Sequence, residues 1–377
     1  MTPKLFQPIN VGSFLLKQRV VMAPMTRLRA SKTHIPIVGI VKEYYEQRAH
    51  TPGTLLITEA TLIAEKAGGY EHISNAVHTK GTYIFCQLYA LGRAADPKVL
   101  AFEGLPYVSA SDIQISTETV APRPLTVEEI REYVQLYAQA AQNAISAGFD
   151  GVKIHGAHDF LPDQFTRDAS NNRTDTYGGS FENRTRFPLE VVDAVAEAVG
   201  PERVGYRISP WSSLFGDCVS TSLLSTHSQE TLDMKMANPI PTFTYLVSQL
   251  KARQPKLAYL HVVEPRVIGM DDRNEEDIGA HEGNDFIRGL WAPKALISTG
   301  GYNRQSAIDT AESKGGLIAF GRQFLANPDV VYRLEKNVVL NTYNRGTFYS
   351  PGDAPIGYTD YPFAEEFTAQ YLSQLFI

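Results

Sequence analysis

Gly151–His158, read GVKIHGAH, is a short apolar run that ends in two histidines. The segment before it, Thr126–Ala147, carries Ile130, Val134, Tyr137 and Ala141 at helical spacing. Thr126 with Glu129 forms a capping box, and Gly148 supplies the stop. A helix therefore leads into a strand, and polar residues gather at the strand's far end. The same alternation continues outward in both directions. Upstream lie Arg19–Pro24 (RVVMAP), Thr54–Ala60 (TLLITEA) and Tyr83–Tyr89 (YIFCQLY). Downstream lie Val204–Ser209 (VGYRIS), Ala258–Glu264 (AYLHVVE), Ala295–Gly301 (ALISTGG) and Leu317–Arg322 (LIAFGR). None alternates strictly between polar and apolar, as expected for parallel strands covered on both faces. Phe181–Val199, Thr242–Arg253, Asn303–Ser313 and Pro328–Lys336 read as further helices, and only Glu71–Lys80 is available for one between strands two and three. Eight strands alternating with helices predict an α/β fold, either a (β/α)8 TIM barrel or a doubly wound sheet. The count of eight, with polar residues at the C-terminal strand ends, favours the barrel, because barrel active sites lie on that face.

The chain has 377 residues, within the range of about 200 to over 400 for one barrel, so 1–377 reads as a single domain. Residues 1–18 are expected to form a lid across the barrel bottom. Long loops follow strand three (Ala90–Leu125) and strand five (Ser212–Pro241), and loops of that length are usually functional. A composition 43% hydrophobic and 20% charged excludes a disordered chain. The net charge of −6 argues against a nucleic-acid partner. Cys86 and Cys218 are too few for a disulfide scaffold or a cysteine zinc site. No apolar stretch occupies Met1–Asn10, and no run approaches a membrane span. A soluble, cytoplasmic monomer or homodimer is expected.

The sequence contains no G-x-G-x-x-G, no P-loop and no G-x-S-x-G elbow. Three readings of His155 and His158 stay open. They are one packed and one loop histidine, or a pair of donors to an oxygen that gains charge. Alternatively they are two metal ligands, with His261 as the third. Gly300-Gly301 and Gly321-Arg322 end strands seven and eight, where barrels recurrently hold phosphate. Glycine admits backbone N–H groups, and arginine adds a bidentate donor; turn glycines and a surface arginine are the plainer alternative. Thr26, Gln87 and Arg207 sit at or near strand ends, where a barrel aims them at one central ligand. Thr26 and Gln87 suit the edge of a heteroaromatic ring, and Arg207 suits an electron-rich one.

Taken together, MAPMTRLRA (22–30), EYYEQRA (43–49), FCQLYALGRAADP (85–97), GFDGVKIHGAH (148–158), DQF (163–165), RTDTYGGSFENRTRF (173–187), RISP (207–210) and AFGRQFLANPD (319–329) resemble the old yellow enzymes. These are FMN-dependent ene-reductases, and the resemblance spans nearly the whole chain. TPGTLLITEAT (51–61) and FCQLYALGRAADP look closest to fungal members of ergot-alkaloid and related secondary metabolism. The resemblance implies bound FMN, NADPH as hydride donor, and an enone or enal as substrate. It implies that Pro24, Met25 and Thr26 lie against the flavin, with Thr26 bonded to a ring carbonyl. Ala60 and Gln87 would touch the ring edge, and Arg207 would sit beside its pole that turns negative. Gly300, Gly301, Gly321 and Arg322 would hold the phosphate. His155 and His158 would grip the substrate carbonyl, with Tyr89 beside them, and no metal is implied.

The chain departs from that family in two places. The position of the usual tyrosine proton donor is Phe160, which has no proton to give. Asp159 beside it, where glycine is common, is acidic, though a solvent-facing side chain would leave it idle. Phe160 opens an alternative outcome, a flavin-bearing isomerase or cyclase without net reduction. A barrel without FMN, serving as a binding or scaffold protein, is the second alternative. The other departure is the short link between strands two and three. It reads as a remodelled surface, a partner groove or a gene-model artefact.

Overall fold

In the computed structural model, which describes residues 1–31, 35–63, 71–115, 120–212, 234–268, 271–279 and 281–369, eight parallel strands close on themselves. They are β1 (Val20–Met22), β2 (Leu55–Leu62), β3 (Tyr83–Tyr89), β4 (Gly151–His155), β5 (Val204–Ile208), β6 (Tyr259–Val263), β7 (Leu296–Thr299) and β8 (Leu317–Phe320). Each pairs with its sequence neighbours, and β8 returns to β1. This is the expected TIM barrel, and every strand falls inside its predicted run or within two residues of it. The main helices that follow the strands are, in order, α1 (Val38–Arg48), α2 (Glu71–His78), α3 (Val127–Ser146), α4 (Arg186–Val199), α5 (Ile240–Arg253), α6 (Asp285–Trp291), α7 (Arg304–Lys314) and α8 (Val330–Lys336). No helix of the described residues is long and apolar enough to cross a membrane.

The local reasons are those the sequence carries. The Thr126 hydroxyl accepts from Glu129 N at 3.2 Å, and the Glu129 carboxylate accepts from Thr126 N at 2.8 Å, so the capping box of α3 is present. One expectation is corrected. Phe181–Val199 is not a continuous helix but Phe181–Arg184 followed by α4. Pro188 has no N–H for the Arg184 carbonyl, and its ring crowds that turn. The Thr185 hydroxyl instead donates to Phe181 O at 2.8 Å.

The expected lid is a hairpin, Ile9–Val11 with Phe14–Leu16. Val11 and Leu16 bury themselves against Leu55, Phe85, Tyr259, Ile297 and Leu317, which fill the lower barrel. Each such side chain contributes about 1.5–3 kcal/mol by leaving water. The bottom is thus sealed by apolar packing, and only the C-terminal face is left for chemistry. The short link after β2 does hold the expected helix, α2; residues 64–70 of it lie outside the described residues. The long loop after β3 contains a short helix, Pro97–Glu103, capped by Asp96. Of the expected loop Ser212–Pro241, residues 213–233 lie outside the described residues.

Candidate active site

A cavity of about 390 Å³ opens on the C-terminal face. Its lining includes Pro24, Met25, Thr26, Ala60, Gln87, His155, His158, Phe160, Arg207, Gly300, Gly301, Gly321 and Arg322. Every residue expected to touch flavin or substrate is among them except Tyr89; His261 and Asp159 also lie outside the lining. The Tyr89 ring meets Phe160 edge-on at 5.0 Å.

Backbone geometry explains several of these placements. A register shift between Ile57 and Ala60 on β2 brings Ala60 opposite Gln87. The Gln87 amide N–H donates to the Thr58 hydroxyl at 3.1 Å, while its side-chain Oε1 is buried without a hydrogen-bond partner among the described residues. Gly301 has φ +58°, a left-handed conformation that favours glycine. A Cβ on Gly321 would lie 2.8 Å from the Met25 sulfur, so a larger residue there would have to push that side chain aside.

His155 and His158 sit with ring centroids 6.0 Å apart. His155 Nε2 lies 3.3 Å from Arg207 Nη1. A guanidinium only donates, so Nε2 accepts and the imidazole proton resides on Nδ1. Burial, then the charges of Arg207 and His158, hold His155 well below the usual histidine range. It is therefore a neutral donor at neutral pH, and Nδ1 has no protein partner among the described residues. Phe160 closes over it, ring centroids 4.4 Å apart.

His158 and Asp159 both take left-handed φ, +55° and +59°. Such a pair costs backbone strain that its surroundings must offset. The His158 amide donates to the Ser209 hydroxyl at 2.9 Å, and the Asp159 amide to the Asp163 carboxylate at 3.1 Å. Asp159 is not idle in solvent. It is buried, and its carboxylate accepts from Arg93 Nε at 3.0 and 3.1 Å. Burial nonetheless pushes its carboxyl up to about 6. It supports the loop from beneath and is not part of the cavity lining.

His261 does not join the two histidines as a metal ligand. It is buried below the cavity with Nδ1 at 3.1 Å from Lys153 Nζ. Among the described residues no group of three His, Cys, Asp or Glu could hold a metal ion.

Arg322 is held by Asp272, with both oxygens 2.6 Å from Nη2. Among the described residues, Asp272 supplies the only carboxylate of the lining, against Arg207, Arg322 and Arg345. The sequence reading missed Asp272 and the whole C-terminal wall, Tyr343, Arg345, Phe348 and Tyr349. That wall has no periodic signal. It is fixed by Arg27, which donates from Nε to Phe348 O at 3.0 Å, and by Arg29, which donates to Gly352 O at 2.8 Å. The two arginines stand in the MTRLRA run (25–30) and were the available signal. Glu59 accepts from the Arg27 amide at 3.2 Å, and burial raises its carboxyl to about 7.

A family model described as the NADH:flavin oxidoreductase / NADH oxidase family matches residues 4–341. The chain is 43% identical over 385 residues to a chanoclavine-I aldehyde reductase of Penicillium roqueforti, covering 97% of each chain. It is 41% identical over 389 residues to an NADP-dependent oxidoreductase of Aspergillus flavus, covering 97% of this chain and 98% of the relative. Among solved structures, the old yellow enzyme of a Pichia species superposes with TM-score 0.81 at 35% identity, covering 96% of this chain and 94% of that one.

Proposed function

The chain belongs to the NADH:flavin oxidoreductase / NADH oxidase family, that of the old yellow enzymes, and from that premise we propose that it reduces the alkene of an α,β-unsaturated carbonyl compound, with FMN bound and NADPH as electron source. The carrying observation is one cavity lined at one end by a glycine–arginine set that suits an anion and at the other by a pair of imidazoles. Gly301, Gly321 and Arg322 make the first end, and His155 and His158 the second. The residues present fit FMN. The buried Gln87 Oε1 needs a donor, which a flavin ring N–H would provide. The left-handed Gly301 and the tight Gly321 leave room for phosphate. Bound FMN would relay hydride between NADPH and substrate. The chain's own work is to hold the carbonyl oxygen with His155 and His158, to keep water off that oxygen with Phe160, and to place Arg207 where negative charge collects. The names of the fungal relatives favour an enal of secondary metabolism as the substrate class. Anaerobic spectroscopy tests the reading. NADPH should bleach a yellow protein, and an enal should restore the colour. A colourless protein that cannot be reconstituted with FMN would support the scaffold alternative instead.

Two variants address the phosphate end. Losing one hydrogen bond to a charged group costs about 1.5–3 kcal/mol, so Arg322→Ala is expected to loosen FMN roughly 10- to 150-fold. Flavin fluorescence titration measures this, and unchanged affinity would move the phosphate elsewhere. Asp272 competes for the same guanidinium. An exposed pair is worth up to about 1 kcal/mol, so Asp272→Asn should tighten FMN by up to about fivefold in the same titration.

A further inference from the structure

Gln87, His155 and Arg207 form part of the cavity floor. On a strand, the residue two positions earlier faces the same interior, about 6.6 Å deeper. On β4 that residue is Lys153, completely buried. Strand register sets it beside Gln87 on β3 and Gly205 on β5. Its Nζ donates to Nδ1 of His261, also completely buried, at 3.1 Å. Nδ1 of His261 therefore accepts, and this ring is a second neutral imidazole. Burial and Lys153 hold its pKa well below the usual range.

The charged group that acts on Lys153 among the described residues is Arg207, another cation. Burial and Arg207 lower the lysine well below its ordinary value. An ammonium out of water without a counter-charge costs several kcal/mol. With a neutral ring above it, that cost favours the unprotonated amine, and the lysine gains its proton as negative charge arrives on the flavin proposed above. Hydride transfer adds one negative charge to a neutral ring. That charge then stands over Arg207 and Lys153, and it supplies the counter-ion that the described residues lack at this depth.

We propose that Lys153, held by His261 one layer beneath the cavity floor, is a positioning residue that raises the reduction potential of the bound flavin. The inference rests on the flavin reading of the cavity. Lys153 does not line the cavity, so its action is through space and through Arg207. A lysine here favours the reduced cofactor, which speeds the half-reaction with NADPH and slows delivery to weakly activated alkenes. The substrates it suits are therefore strongly electrophilic ones, enals ahead of esters.

The experiment compares the wild type, Lys153→Met and Lys153→Arg, each loaded with FMN. It reads two quantities, the FMN dissociation constant and the midpoint potential of the bound flavin. Lys153→Met is expected to shift the reduced-to-oxidised ratio at fixed potential at least tenfold toward oxidised. For a two-electron couple that is a fall of about 30 mV. Lys153→Arg keeps a cation beside the reduced ring and should hold the potential at or above the wild-type value. Equal potentials in wild type and Lys153→Met overturn the proposal, and so does an equal fall in both variants, which would assign the effect to packing. If Lys153→Met fails to hold FMN, Lys153→Gln, polar but uncharged, carries the same comparison. A wild type that binds no FMN overturns the flavin reading itself, and the titration identifies that outcome before any potential is measured.

Discussion

Phe160→Tyr is expected to raise net reduction of simple cyclic enones by at least about 10²-fold, the lower end of what a positioned general acid supplies. Hydride arriving at the β-carbon leaves an enolate, and the α-carbon must then take a proton. Phe160 lines the cavity with its ring packed on His155, and it carries no proton to give. Tyr89, whose ring meets Phe160 edge-on at 5.0 Å, lies outside the lining. Tyr343 and Tyr349 do line the cavity, on its C-terminal wall. With Tyr302, also in the lining, they are the phenols among the described residues that could supply a slow proton. The substitution adds one hydroxyl at a cavity wall, so packing changes little. Anaerobic turnover on a panel of enones and enals, with product ratios, makes the comparison. Wild-type rates within twofold of the tyrosine variant would leave Phe160 without a mechanistic part. A collapse of wild-type activity in Tyr349→Phe would then locate the donor.

The barrel was legible because its signals are local and repeated. A run such as VGYRIS or GVKIHG has one stable use when helices flank it on both sides, namely a buried parallel strand. The residues at the C-terminal strand ends were legible for the same reason, since closing the barrel brings them together whatever the loops do. The C-terminal wall was not legible. Phe348 and Tyr349 lie in irregular chain, and they reach the cavity because Arg27 and Arg29, more than 300 residues earlier, bind the backbone around them. Side-chain-to-carbonyl bonds of that range leave no periodicity in either partner. Asp272 was missed because an exposed acid on a two-residue strand, Asp271–Asp272, looks like any solvated charge until Arg322 is placed against it. Asp159 was misread for a related reason. A left-handed φ beside a strand end suits glycine, and only the fold reveals that Arg93 makes an aspartate worth keeping there.

Removing both imidazoles, His155→Ala with His158→Ala, is expected to lower enal reduction by about 10²–10³-fold or more, the usual loss for one preorganised donor to a developing oxyanion. FMN should remain bound, because the phosphate end and the Gln87 edge are untouched. Small phenols give a second readout. Bound as phenolates between the two histidines and above an electron-poor flavin, they should produce a long-wavelength charge-transfer band, and the double variant should lose it. The pH dependence separates two versions of the clamp. His155 is held well below the usual histidine pKa by burial and by Arg207, so it stays neutral as pH rises through about 6.5. Its donor is Nδ1–H, which deprotonation of an imidazolium does not remove. The band should therefore grow with pH as the free phenol ionises, with no loss near the ordinary histidine pKa. A band that instead fades as pH rises through that range would show a charged imidazolium at the site. The Arg207–His155 contact would then have to be broken in the liganded enzyme, because Nε2 cannot accept from a guanidinium while it carries a proton of its own.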